Sequence, residues 1–533
     1  MIKNIPHKYI IGIALLLYVI LQSYCIQLLS PNYDEGSFAA YGASILKREG
    51  NKDIVRFDSK LPITALNMIP RAVEQIIHPG LTKNSEVSDI ISGRYVSLLA
   101  TILLSLVIYY WSDKLYGKSA GLFSFFIFLI SPDFLAHGIF VSSDIFACLF
   151  MTLCLLYLWK YCREKKTKDF VLMSLFTSMA LISKFSMVHL LLIIPALLIL
   201  NFLFQKNGTE HRRFLTGKGF LLFLIFLCSN WLVISAAHLF YGMFLPLNDY
   251  HFMSGTFTGI QSLFHFAGNY LFIPLPSSYI SSMDAVMYFD HLGGGVPGSL
   301  NGPPYILGMN SIHGFWYYYF VVLFYKLPIP VWILVVLLLF TVFKKNFNRS
   351  FWKNEMFLLL PVIYFLVYLN FFYSTQVGIR HIMIIFPLLY ISFGSIFKYL
   401  SSRVSYYLLP LILVFQLVSV SFYFPHFLPY TNEFIRNKRM AYRKIADTNI
   451  CYGEGAVFLK KYLKKNKDAV YLPGKPIAGK VVMEVNEMLN LNIQTMGKYD
   501  WARNLIPVDD IQSQYLIFNV SKEQADSLLK IHP

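Results

Sequence analysis

Charge is scarce in this 533-residue chain, and negative charge is scarcest. Only 14% of residues are charged, with 29 acids against 46 Lys and Arg, where a soluble domain carries about 25%. An ordinary soluble domain is thereby excluded. Cysteine is also sparse: Cys25, Cys148, Cys154, Cys162, Cys228 and Cys451 form no CxxC pair, and all but Cys451 lie in or beside apolar segments. No disulfide framework is available to exported parts. There is no Walker loop, HExxH, GxSxG or Cys-His metal spacing, so a nucleotide-powered pump has no support. Internal repeats and low-complexity tracts are missing too.

What is present is apolar length. Hydrophobic residues make up 56% and aromatics 17%, with a mean hydropathy of +0.52. A membrane span needs roughly 20 apolar residues. Eleven stretches qualify, near 9–29, 91–111, 119–137, 141–160, 169–184, 186–205, 219–241, 315–343, 356–373, 381–399 and 405–424. The eighth is interrupted by Lys326-Leu327-Pro328-Ile329-Pro330, and proline breaks the helical ladder. The first stretch is too long for a signal-peptide core and reads as a retained helix.

The loops set the orientation. Short loops holding Lys114 and Lys118, Lys160 to Lys168, Lys206 to Lys218, Lys344 to Lys353, and Lys398 with Arg403 contain 17 cations. The alternate set includes Tyr241–Gly314, which has no Lys or Arg. Positive loops stay cytoplasmic, so the second set is expected to face exoplasm. The net charge of +17 then needs no nucleic-acid partner. The expected fold class is an all-α polytopic membrane protein. Its catalytic part would be residues 1–424, with exoplasmic loops 30–90 and 242–314 carrying surface helices near 36–47 and 62–77. From 425 to 533 charge rises and β-like runs appear, at 469–472, 480–483 and 514–518 beside a helix near 454–465. A small exoplasmic α/β domain is expected there.

With that topology the polar residues at the outer ends of the spans fall at one level. Asp34 and Glu35 follow span one, Arg94 starts span two, and His137 ends span three. Asp144 opens span four, Lys184 ends span five, and Arg380-His381 opens span ten. Charges at membrane depth are expensive and are functional suspects by default. A carboxylate can take a proton from a hydroxyl, a second carboxylate can orient the first or hold a divalent metal, and Lys or Arg can neutralise a phosphate leaving group. Snorkelling anchors are the bland alternative.

Five motifs resemble those of one family. They are Asn32-Tyr33-Asp34-Glu35; Asp58-Ser59-Lys60-Leu61-Pro62; Ser131-Pro132-Asp133 to Gly138 followed by Ser142-Ser143-Asp144; Gly314 to Phe320 with Lys326-Leu327-Pro328; and Gly378-Ile379-Arg380-His381. In this order they resemble the protein O-mannosyltransferase and lipid A aminoarabinose transferase superfamily, the polyprenyl-phosphate-dependent GT-C glycosyltransferases. Asp447-Thr448-Asn449 resembles the phospholipid-carrier-dependent branch, while Cys451-Tyr452-Gly453-Glu454 stands where that branch has Asp-Trp-Gly-Gln.

The resemblance implies a GT-C fold and an inverting transfer of a sugar from a polyprenyl monophosphate to a hydroxyl acceptor. It implies Asp34 as the base, supported by Glu35 and Asp144, with Lys60, Lys184 and Arg380 at the donor phosphate. Asp58, Arg94, His137, His291 and His381 are further candidate contacts, and Glu35 and His291 are the candidates for a divalent metal, should one be used. Implied partners are the lipid-linked sugar, a protein, lipid or glycan acceptor, and membrane lipids. A bacterial inner membrane is favoured over the endoplasmic reticulum. The competing reading is a transporter or flippase of lipid-linked sugars, which typically shows repeats and broken midplane helices.

Overall fold

The computed structural model describes residues 6–47, 60–78, 86–204, 217–344, 349–398, 400 and 402–531. Helices dominate, and each of the eleven apolar stretches is helical. Five helices are long and apolar enough to cross a membrane alone: His7–Leu28, Glu86–Tyr116, Asp144–Glu164, Phe185–Phe204 and Gly219–Ala237. A sixth forms if Tyr318–Lys326 and Ile329–Val342, bent by 116°, count as one span. The bend falls at Pro328 and Pro330, as the missing amide N–H groups require. Shorter apolar helices complete the set at Lys118–Leu129, Met356–Phe371, Met383–Lys398 and Tyr407–Ser421. The third span stops at Leu129 and restarts at Pro132–His137, because Pro132 takes the first helical position of a new turn. This is a multi-pass membrane protein.

Both surface segments of the first loop are helical. Glu35–Leu46 packs on the tight turn Pro62–Met68, which runs into Ile69–Ile77. Their approach depends on Gly42, where a Cβ would sit 2.5 Å from the Thr64 carbonyl oxygen. Asn67 then ties the turn to the second span, donating to Gly93 O at 2.8 Å and Ser97 Oγ at 2.9 Å.

The large loop is ordered rather than a connector. It holds the ribbon Leu245–Pro246 with Phe272–Ile273, the helices Gly255–Leu263 and Ser277–Leu292, and the ribbon Tyr305–Ile306 with Met309–Asn310. The C-terminal residues form a four-stranded sheet in the order Val470–Tyr471, Gly479–Glu484, Tyr515–Val520, Asp509–Ile511. The first pair is parallel and the others antiparallel. Helices Ala456–Lys465 and Lys522–Ile531 flank the sheet in sequence.

This C-terminal part is stitched to the exit of the first span. Ser30 N donates to Glu454 O and Tyr33 N to Tyr452 O, both at 3.0 Å. Buried Glu454 accepts from Gln514 Nε2 at 2.6 Å and contacts His426 Nε2 at 2.5 Å. The turn that carries Tyr452 is therefore fixed from both sides.

Candidate active site

Asn32 shapes the turn after the first span. Its side-chain oxygen accepts from Asp34 N at 3.0 Å and Glu35 N at 2.9 Å, an Asx arrangement that starts the helix Glu35–Leu46. The two neighbouring carboxylates then separate. Glu35 turns inward and is fully buried, with Arg94 Nε on Oε1 at 2.8 Å and Nη2 on Oε2 at 2.6 Å. The amides of Val141 and Asn32 also donate to it, each at 2.9 Å. Arg94, equally buried, donates its remaining bonds to Ile26, Leu29 and Ser30 carbonyls at 3.2, 2.9 and 2.7 Å. This pair closes the end of the first helix, leaving no face of Glu35 toward a pocket.

Asp34 points the other way. Its side chain keeps 39% of its surface exposed while its Oδ2 accepts from Arg380 Nη1 at 2.9 Å and Tyr452 Oη at 2.5 Å. The Arg380 guanidinium lies 4.9 Å from the Tyr452 ring centroid and also bonds the Tyr452 hydroxyl. Burial holds the Tyr452 phenol well above its ordinary range; Arg380 opposes this and the Asp34 charge adds to it. The phenol thus stays protonated and donates to Asp34.

Arg380 is delivered by a braced turn. Gly378 has φ +97°, and a Cβ there would lie 2.3 Å from Thr448 Oγ1. Asn449 Oδ1 accepts from Ile379 N at 2.9 Å, and Thr448 Oγ1 donates to Val377 O. Farther back, Asp290 of the large loop accepts from Ser374 N at 2.9 Å and from Thr375 N at 2.8 Å.

Asp144 accepts from Lys184 Nζ at 2.6 Å, with both side chains mostly covered. Asp144 feels the charge of Arg380 and His381 as well as Lys184. His137 is buried with its ring centroid 6.5 Å from that of Tyr452, and it senses Asp144, Arg380 and Lys184. His381 stands 5.6 Å from the Tyr373 ring and senses Lys184, Arg380 and Asp144. The structure therefore gathers Asp34, Asp144, Lys184, Arg380, His137 and His381 into one polar cluster.

Other candidates lie elsewhere. Lys60 Nζ is 5.9 Å from the Phe38 ring centroid, in a segment bound beside the end of the fifth span through Ile63 N to Ile182 O at 3.3 Å. Asp58 falls outside the described residues. His291 is exposed on the helix Ser277–Leu292, with Nδ1 3.0 Å from Met287 O of its own turn. Among the described residues no three His, Cys, Asp or Glu side chains converge as metal ligands.

Three participants escaped the sequence reading. Tyr452 had no signal beyond its motif position. Asp447 senses Arg380 and Asp34, and burial lifts its carboxyl to about 6. The third is a buried pair under the site, Lys326 Nζ and Asp133 Oδ1, 3.9 Å apart. Lys326 donates to Leu428 O at 2.7 Å and Asn449 O at 3.1 Å, supporting the segment that braces Arg380.

Comparison with known proteins adds the following. Residues 85–234 match the family model described as dolichyl-phosphate-mannose-protein mannosyltransferase. No curated protein matches the chain. Among solved structures, ArnT from Cupriavidus metallidurans bound to undecaprenyl phosphate aligns at 13% identity and TM-score 0.48, over 74% of this chain and 60% of that one. The oligosaccharyltransferase AglB from Archaeoglobus fulgidus, in complex with an inhibitory peptide and a dolichol-phosphate, aligns at 13% identity and TM-score 0.45, over 77% and 54%. This chain spans about three fifths of the ArnT chain. The family-model match covers residues 85–234, the part of the chain that carries Asp89, Arg94, Asp133, His137, Asp144 and Lys184, and is a similarity to the dolichyl-phosphate-mannose-protein mannosyltransferase family over that part.

Proposed function

We propose that the protein is an inverting glycosyltransferase that moves a sugar from a polyprenyl monophosphate donor to a hydroxyl acceptor at the exoplasmic face. The observation that carries this reading is the half-exposed Asp34 carboxylate beside Arg380 and Tyr452, with the Lys184–Asp144 pair close enough for Asp144 to feel the Arg380 charge. An acid open to solvent can accept a proton, and two cations within reach of it can receive a phosphate.

In this reading Asp34 takes the proton of the acceptor hydroxyl. The oxygen forms a bond to the anomeric carbon from the side opposite the phosphate, and the bond from that carbon to the phosphate oxygen breaks. Polyprenyl phosphate leaves with the electron pair. Arg380 and Lys184 stabilise the charge that develops on the leaving oxygen, with Lys60 completing the approach of the donor. Asp144 aims Lys184. Glu35 and Arg94 shape the turn that presents Asp34 and take no part in the chemistry.

The test is incubation of the purified protein in nanodiscs with polyprenyl-phosphate-linked sugars and a panel of hydroxyl acceptors. Release of polyprenyl phosphate together with glycosylated acceptor is the expected result. Movement of intact donor across the bilayer without its consumption would replace this reading by the flippase alternative.

A further inference from the structure

Asp34 is occupied. One of its oxygens, Oδ2, accepts both the Arg380 Nη1 and the Tyr452 hydroxyl. An oxygen that already accepts two hydrogen bonds has little lone-pair capacity left for the hydroxyl of an acceptor. Arg380 is at the same time only partly used. Its Nε–H is buried and has no acceptor, although a buried donor left unmatched is costly. A guanidinium presents a fork of N–H groups that suits a phosphate bidentately, and the bonds through Nη1, to Asp34 and to the Tyr452 hydroxyl, leave Nε–H out of that fork.

We infer that the donor phosphate and Asp34 compete for Arg380, so that the base is released only once the donor is bound, with Tyr452 keeping the freed carboxylate aimed. This rests on the pocket being the donor-phosphate site. The incoming phosphate takes Nε–H and an Nη of Arg380. Asp34 retains the bond from Tyr452, whose backbone is anchored by groups other than Arg380: Tyr33 N donates to its carbonyl at 3.0 Å and its own amide donates to Glu454 Oε2 at 3.1 Å. The consequence is order. Donor binds first, and an acceptor arriving early meets a carboxylate already committed to Arg380.

A thermodynamic cycle separates this from simple repulsion between Asp34 and an anion. Equilibrium binding of undecaprenyl phosphate is measured in nanodiscs for the natural protein, Asp34→Asn, Arg380→Gln and the double variant, each first shown to keep its thermal transition. Asp34→Asn is expected to bind about ten- to a hundredfold tighter, the range of one charge-assisted bond. Arg380→Gln binds more weakly, and adding Asp34→Asn to it restores nothing. An equal gain in both backgrounds would show repulsion alone and overturn the competition. No gain in either would overturn it as well. If the natural protein and Asp34→Asn both fail to bind, the donor-site reading itself falls, a result distinct from either of those. Tyr452→Phe supplies the second readout: the initial rate at saturating donor falls while donor affinity holds, whereas a purely structural role would move both.

Discussion

Asp34 and Arg380 stand 346 residues apart in the chain and meet at 2.9 Å, oxygen to nitrogen. The first span delivers one and the turn before the tenth delivers the other. The C-terminal segment closes the gap between them with Tyr452. A site assembled from such distant parts makes distinct demands on each part.

Lys184 is expected to bind donor and not merely to anchor a helix end. Lys184→Met should weaken binding of a non-hydrolysable polyprenyl-phosphate sugar by about ten- to a hundredfold, the worth of one charge-assisted bond. Asp144→Asn should weaken it less, since the cation remains. Unaltered affinity in Lys184→Met would assign the pair to helix anchoring.

Glu35 and Arg94 are expected to act on stability. Removing one partner of a buried pair leaves a lone charge, at a cost of about 3–5 kcal/mol. Arg94→Met or Glu35→Gln should lower the thermal transition and the yield of folded protein, and the double replacement should recover part of the loss. A Glu35→Gln protein with its normal transition and no turnover would instead place Glu35 in the chemistry.

Asp447 gives the pocket a pH dependence. Its carboxyl is lifted to about 6 chiefly by burial, raised further by Asp34, with the Thr448 amide and Arg380 opposing. Below that value it is neutral. Above it, a second negative charge faces Arg380 and competes with an anion. Affinity for a phosphodiester donor analogue, whose own charge is constant, should therefore fall as pH rises through about 6. Asp447→Asn should flatten that part of the profile. An unchanged profile in the variant would remove Asp447 from the pocket.

Topology is tested with fusions, because Cys451 is fully buried and a thiol reagent would not reach it. Reporters inserted near Lys166 and near Gly294 should lie on opposite sides, with Lys166 cytoplasmic. Both on one side would break the eleven-span arrangement.

Much of this architecture was legible in the residues. Apolar length placed the helices, and the polar residues at span ends included the Asp34, Asp144, Lys184 and Arg380 cluster. Glu35 misled because adjacency in sequence was read as adjacency in space. It is the first residue of a helix and Asp34 its cap, and neighbours one apart on a helix do not share a face. Tyr452 was invisible for a different reason: its contact with Asp34 spans 418 positions, and no local pattern announces such a meeting. The strand Asp509–Ile511 opens with two acids, a residue type depleted in strands, and is held by pairing with its neighbour. Span length was overestimated at Pro132, where the third run divides, whereas the break at Pro328 was legible in its Lys326-Leu327-Pro328-Ile329-Pro330 segment.

The most direct measurement is the rate at which Asp34→Asn transfers labelled sugar from a polyprenyl monophosphate donor, set beside the natural protein at saturating donor. Loss of a general base costs about 10²–10⁴-fold, so a fall of that size with unchanged folding is predicted. Turnover by the well-folded variant at the natural rate would contradict the account and leave Asp34 as the boundary of a helix.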